Sequence, residues 1–237
     1  MPGPFRLRPG PSGDLWTYAT ATSPGAPVRG HVLLCHDLPR PGGAAADLAL
    51  TYPALADRLA RETGWQVVTA ALRGAGESAG DFSALGWLED LRYVAETEIP
   101  EASTRLAVGF GFGGVLALHL AAADERVAAV ACLGTPAEVV ELTGGTEEFL
   151  ARSRRTGVIR TPGFPSSVEA WAKELSVLHP VEDAGLSKGR PLLLVHGSDD
   201  PDVPLASARA LSDAATGPSE LHVVPGAGHW LRADPRV

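Results

Sequence analysis

The sequence predicts a single α/β domain built on a mainly parallel, doubly wound sheet. Three observations carry that prediction: a length suited to one such domain, strand-length apolar runs alternating with helically periodic segments, and the continuous apolar character of several of those runs. At 237 residues the chain has room for a two-sided sheet covered by helices. Its apolar share of 45% and charged share of 20% are those of an ordinary globular protein, so a packed core is affordable and no disordered or fibrous class is implied.

The strand candidates, in order, are Asp14–Thr22, His31–His36, Trp65–Leu72, Arg105–Phe110, Val127–Gly134, Pro191–Gly197 and Glu220–Pro225. Runs such as VLL, VVTAAL and LLLV have no polar alternation, which suits parallel strands buried on both faces. Between them, Tyr52, Leu55, Ala56 and Leu59 share one helical face, as do Ala84, Leu88, Leu91 and Ala95, and a shorter set is Leu205, Ala208 and Leu211. Such alternation implies right-handed crossovers and a mainly parallel sheet.

The alternation breaks once. From about Pro136 to Gly189 helical pieces (EEFLARSRRTG, SVEAWAKELSVL) are separated by Gly/Pro-rich joints, which is long for a connection. The expected organisation is therefore a core of residues 1–136 and 190–237 carrying a helical cap, residues 137–189. Arg152, Arg154, Arg155 and Arg160 cluster in the cap, where a solvated face is expected. Phe149, Phe164 and Trp171 are expected to fill the cap's own core. The stretch ADPRV near the end reads as the possible start of a closing helix; without one, a sheet face stays partly uncovered.

The net charge of −8 argues against a nucleic-acid partner. The run Leu106–Ala123 is apolar enough to raise a membrane question, but its glycines and His119 favour a strand, a turn and a helix, so no membrane partner is expected. The first residues hold no apolar targeting segment. Cys35 and Cys132 lie in apolar runs and read as buried thiols of a reducing, cytoplasmic compartment. The histidines form no ligand-spaced cluster, so no metal and no cofactor is expected. Oligomeric state is not legible.

Four local patterns fall at the C-terminal ends of predicted strands, the edge where open α/β sheets bind ligands. They are LLCHDLP (33–39), ALRGAGESAG (71–80), VGFGFGG (108–114), and the pair VHGSDDPDVP (195–204) and LHVVPGAGHW (221–230). In this order they resemble the motifs of the α/β-hydrolases, along nearly the whole chain. The resemblance implies that fold, with a nucleophile elbow at Gly109-Phe110-Gly111-Phe112-Gly113, a triad acid at Asp200 and a triad base at His229. It also places oxyanion-hole N–H groups on Leu38 and Phe112, and His36, Phe110 and Trp230 around the substrate. The chain departs from the family twice. The family's His-Gly after the first core strand is His36-Asp37, and the elbow serine is Gly111. Ser78, in the second pattern, reads as a structural hydroxyl.

Gly109, Gly111 and Gly114 also fit G-x-G-x-x-G, the dinucleotide fingerprint. That motif needs an acid at the end of the next strand, and none lies between Arg126 and Ala137.

Triad chemistry needs an attacking hydroxyl, a base and an orienting acid. Gly111 has no attacking atom, so no acyl-enzyme is expected there. Three functional readings stay open. One is a pseudo-hydrolase that binds a small ligand or a partner in the hydrolase pocket. Another is an enzyme in which the Asp200–His229 dyad is a general base, activating a water in the space left by the serine or taking a proton from a small ester, amide or related substrate. The third uses another nucleophile: Cys35, Ser78 or Ser198. Gly111→Ser is expected to gain fluorophosphonate labelling and some p-nitrophenyl acetate hydrolysis, at a cost of about 1 kcal/mol in stability.

Overall fold

The structure, a computed structural model, describes residues 5–20, 28–40 and 42–237. The strands are β1 (Phe5–Gly10), β2 (Gly13–Ala19), β3 (His31–Cys35), β4 (Gln66–Ala71), β5 (Arg105–Phe110), β6 (Val127–Leu133), β7 (Leu192–Gly197) and β8 (Ser219–Val224). They form one sheet in the order β1-β2-β4-β3-β5-β6-β7-β8. The β1–β2 and β2–β4 pairings are antiparallel and every later one is parallel. The expected strands are present to within a residue or two. The expected run to Thr22 ends outside the described residues, as do the first four residues of the chain.

One strand was not legible. In β1, FRLRPG, charge and proline interrupt any apolar pattern, and Leu7 is exposed. Backbone pairing with β2 makes it a strand, and Pro9 is tolerated because β1 is the edge.

The helices are α1 (Ala46–Thr63), α2 (Ala84–Glu98), α3 (Phe112–Ala123), α4 (Val140–Thr143), α5 (Thr146–Thr156), α6 (Val168–Leu175), α7 (Pro180–Gly185) and α8 (Leu205–Ala214). Helix α1 has its polar stripe outward and buries Leu48, Tyr52 and Ala56 on one face of the sheet; it ends on Gly64 in the left-handed region. Helix α2 starts at Ser83, whose hydroxyl accepts from the Gly86 N–H, and packs Trp87, Leu88, Leu91 and Val94 on the other face. Two cores result, one per face, as a doubly wound sheet requires.

Between β6 and β7 lie only helices, α4 to α7. Phe149 and Trp171 stack with centroids 5.3 Å apart, and the Trp171 indole N–H donates to the Phe82 carbonyl at 2.9 Å. These two rings are core, as expected. Arg154, Arg155 and Arg160 are exposed, as expected of a solvated face, and Arg152 is half-buried. Arg160 donates to the Gly76 and Ser78 carbonyls, Arg154 to that of Phe164, and Arg152 to that of Leu142 while lying over the Phe149 ring. The final residues make a single 3₁₀ turn, Leu231–Ala233, rather than the start of a longer helix.

Both cysteines are buried free thiols. Burial pushes the Cys35 thiol up, and that of Cys132 up to about 12. Among the described residues no helix is long and apolar enough to cross a membrane; the run Leu106–Ala123 divides into β5, a turn and α3.

Candidate active site

The site lies at the C-terminal edge of β3, β5 and β7 and is built from three loops. The first is the elbow. Strand β5 ends at Phe110 and α3 begins at Phe112, so the chain reverses within Gly111, at φ 49° and ψ −118°. That backbone region is costly for any residue with a Cβ. Tight strand–helix packing is also required: a carbon added at Gly114 would overlap the Thr135 side chain.

The second loop brings the acid and the base. Asp200, after β7, accepts from the backbone N–H groups of Asp202 and Val203 through Oδ1, at 2.9 Å each. Its Oδ2 lies 2.9 Å from His229 Nδ1, on the loop after β8. The expected acid and base are thus in contact. Asp200, Asp202 and His229 also offer ligand atoms within 4.8 Å of one another.

The third loop, after β3, carries the residue that sequence reasoning missed. The N–H groups of Leu38 and Phe112 converge on one point, as expected of an oxyanion hole, but the point is occupied. Asp37 Oδ1 accepts from Leu38 N–H at 2.7 Å and from Phe112 N–H at 2.8 Å. Asp37 Oδ2 lies 3.4 Å from His229 Nε2. A Cβ built on Gly111 would overlap the Asp37 carboxylate. The space left by the missing serine is therefore filled by a loop carboxylate, and the expectation of a vacant, water-sized gap is corrected.

Asp37 is held from both sides. Its N–H donates to Tyr52 Oη at 2.9 Å, and its carbonyl lies 2.8 Å from His36 Nδ1. His36 Nε2 accepts the Leu72 N–H at 3.0 Å, so Nδ1 carries the proton and donates to that carbonyl. Burial lowers the His36 pKa to about 4, keeping the ring neutral. His36 is thus a buried strut that ties the end of β4 to the Asp37 loop. Phe110 is likewise buried, edge-on to Tyr52 at 5.9 Å, in the core. Trp230, by contrast, borders the open space beside His229.

That space is a cavity of about 90 Å³ bordered by Asp37, Leu38, Arg152, Asp202, His229 and Trp230. A larger hollow of about 680 Å³ lies among α4, α6 and α7, but neither Asp37 nor His229 reaches it. The smaller one is the candidate site, because polar groups converge there. Burial lowers the His229 pKa, but its contacts with Asp200 and Asp37 outweigh this and raise it to about 10. Burial raises that of Asp200, and the bonds from His229 and the backbone more than reverse the effect.

The other nucleophile candidates are otherwise engaged. Cys35 is buried with its thiol pushed up, Ser78 donates to the Ala71 carbonyl at 2.5 Å, and Ser198 donates to Asp199 at 2.6 Å.

Fold and site together define an α/β-hydrolase framework, and the family comparison agrees. Residues 32–237 match the alpha/beta hydrolase family, and the chain belongs to it. No curated protein matches it. Among solved structures it is similar to the alpha/beta hydrolase GrgF from Penicillium sp. sh18, with 20% identity and a TM-score of 0.71 over 100% of this chain and 94% of the other. The alpha/beta hydrolase domain-containing protein 10 from mouse gives 16% and 0.70 over 98% and 92%. An alpha-beta serine hydrolase homologue from Coxiella burnetii gives 22% and 0.61 over 98% and 91%. At these identities the likeness is one of fold.

Proposed function

We propose that this protein is a hydrolase-family member that forms no serine acyl-enzyme and takes a small molecule into the cavity beside Asp37 and His229. One observation carries the reading: at the elbow a residue without a side chain faces a carboxylate that already fills both oxyanion donors. A serine ester intermediate needs an attacking hydroxyl and an empty hole, and this arrangement offers neither. The free-base version of the Asp200–His229 dyad is disfavoured, because a ring with carboxylates at both nitrogens holds its protons rather than accepting one.

The cavity is the place for a ligand, with the helical segment 137–189 acting as its cap through Arg152. The test is labelling with a fluorophosphonate probe alongside p-nitrophenyl acetate turnover. The expected result is neither labelling nor a burst; stoichiometric labelling of any serine, located by peptide mass, would overturn the reading.

A further inference from the structure

We propose that Asp37 and His229 are the reacting pair of this cavity, with proton roles reversed from those of a serine hydrolase: His229 Nε2–H donates and Asp37 Oδ2 accepts. The inference rests on the reading above that the cavity takes a small molecule without serine chemistry, and it names the class of that molecule.

The geometry argues each half. His229 Nδ1 faces Asp200 Oδ2 at 2.9 Å and Nε2 faces Asp37 Oδ2 at 3.4 Å. A carboxylate offers only acceptor oxygens, so a ring held between two of them is satisfied by donating from both nitrogens. The other charged groups near this ring are Arg152 from α5, Arg232 from the last turn, and Asp202 and Glu141 at the cavity rim. At 3.4 Å the Nε2–H contact is long, which leaves that proton available to a better-placed acceptor. Asp37 is fixed through its backbone and through Oδ1, its Oδ2 faces the ring, and the residue borders the cavity.

The reaction class follows from what is missing. Both oxyanion donors are spent on Asp37, so a tetrahedral oxyanion has no cradle and ester or amide hydrolysis is not supported. A chemistry that needs only a fixed acid beside a fixed base is proton transfer at a carbon next to a carbonyl. As Asp37 Oδ2 takes the α-proton, the C–H electron pair becomes the new C=C bond. The carbonyl π pair moves onto oxygen, and that oxygen takes the proton from Nε2. The products are an enol, a neutral Asp37 and a neutral His229; return of the protons regenerates both groups, and no co-reactant is used. A cavity of about 90 Å³ suits the reacting end of a ketone or aldehyde.

The experiment has two arms on the full chain. In D₂O, exchange of the α-protons of hydroxyacetone is followed by proton NMR for the parent protein, Asp37→Asn and His229→Gln, with circular dichroism confirming the fold of each. The parent is expected to exceed both variants at least tenfold. In the second arm, ¹⁵N NMR of labelled histidine is expected to show His229 with two N–H groups at pH 7.5, and Asp37→Asn to lose the Nε2 proton at lower pH. Exchange no faster than in Asp37→Asn, or a His229 with one N–H, overturns the inference. Serine labelling by the fluorophosphonate would instead overturn the earlier reading, so the two failures are distinct.

Discussion

Gly111 and Asp37 constrain each other through one small volume, and their substitutions should not behave independently. Gly111→Ser must hold a Cβ at φ 49°, which costs about 1–3 kcal/mol, and must also push the Asp37 carboxylate out of its two N–H bonds. Urea unfolding should therefore show the single variant destabilised by more than that backbone cost alone, and it should stay unlabelled by fluorophosphonate. In Asp37→Gly/Gly111→Ser the overlap is gone, the hole is open and Asp200–His229 stands ready. That double variant should recover part of the lost stability and gain labelling, a non-additive result as expected of residues in contact. His229 gives a second prediction. Its folded pKa of about 10 lies above the ordinary 6.5, so its stabilising contribution is full below about pH 6.5 and is lost as pH rises toward 10. Stability of the parent should fall across that window, and His229→Gln should flatten the fall in a urea titration series.

The loop from β4 to α2 shows how one ion pair sets an element's position. Asp90, fully buried on α2, accepts from the Arg73 backbone N–H at 2.8 Å and pairs with its guanidinium through both oxygens, at 3.0 Å and 2.6 Å. The Trp87 indole N–H caps the Arg73 carbonyl at 2.8 Å. Removing Asp90 leaves the Arg73 guanidinium with only the exposed Glu89 carboxylate, 2.8 Å away, and the Arg73 backbone N–H without its acceptor, so Asp90→Ala should be destabilising by up to about 3 kcal/mol, measured by denaturant unfolding. Arg73→Lys cannot reproduce the forked contact and should be clearly destabilising too. The stated face of α2, Ala84, Leu88, Leu91 and Ala95, does not include Asp90, and only the fold supplied its partner.

Across the whole molecule, the aromatic cluster Phe82, Trp87, Phe112, Phe149 and Trp171 joins α2, α3 and the helices between β6 and β7 into a single core. The Asp81 carboxylate adds a polar stitch, accepting from the Arg160 and Thr161 N–H groups at 2.6 Å and 2.9 Å. The helical segment should therefore unfold together with the sheet. Trp171→Ala should cost about 3–5 kcal/mol while tryptophan fluorescence and circular dichroism keep coincident transitions; a separate early transition in fluorescence would show that the segment melts independently.

The period of the apolar runs, the glycines at the elbow and the acid and histidine after the last strands were enough to read the fold, because burial on both sheet faces and a tight strand–helix reversal leave little choice of residue type. The contact of Asp200 with His229 was legible in the same way. What escaped was the role of Asp37: the departure at 37 and the departure at 111 are far apart in the chain, and either one alone reads as a worn motif. Tertiary structure decided it. Parallel pairing of β3 with β5 brings the two loops together at one sheet edge, where two backbone N–H groups need an acceptor and a carboxylate fits only because residue 111 has no side chain.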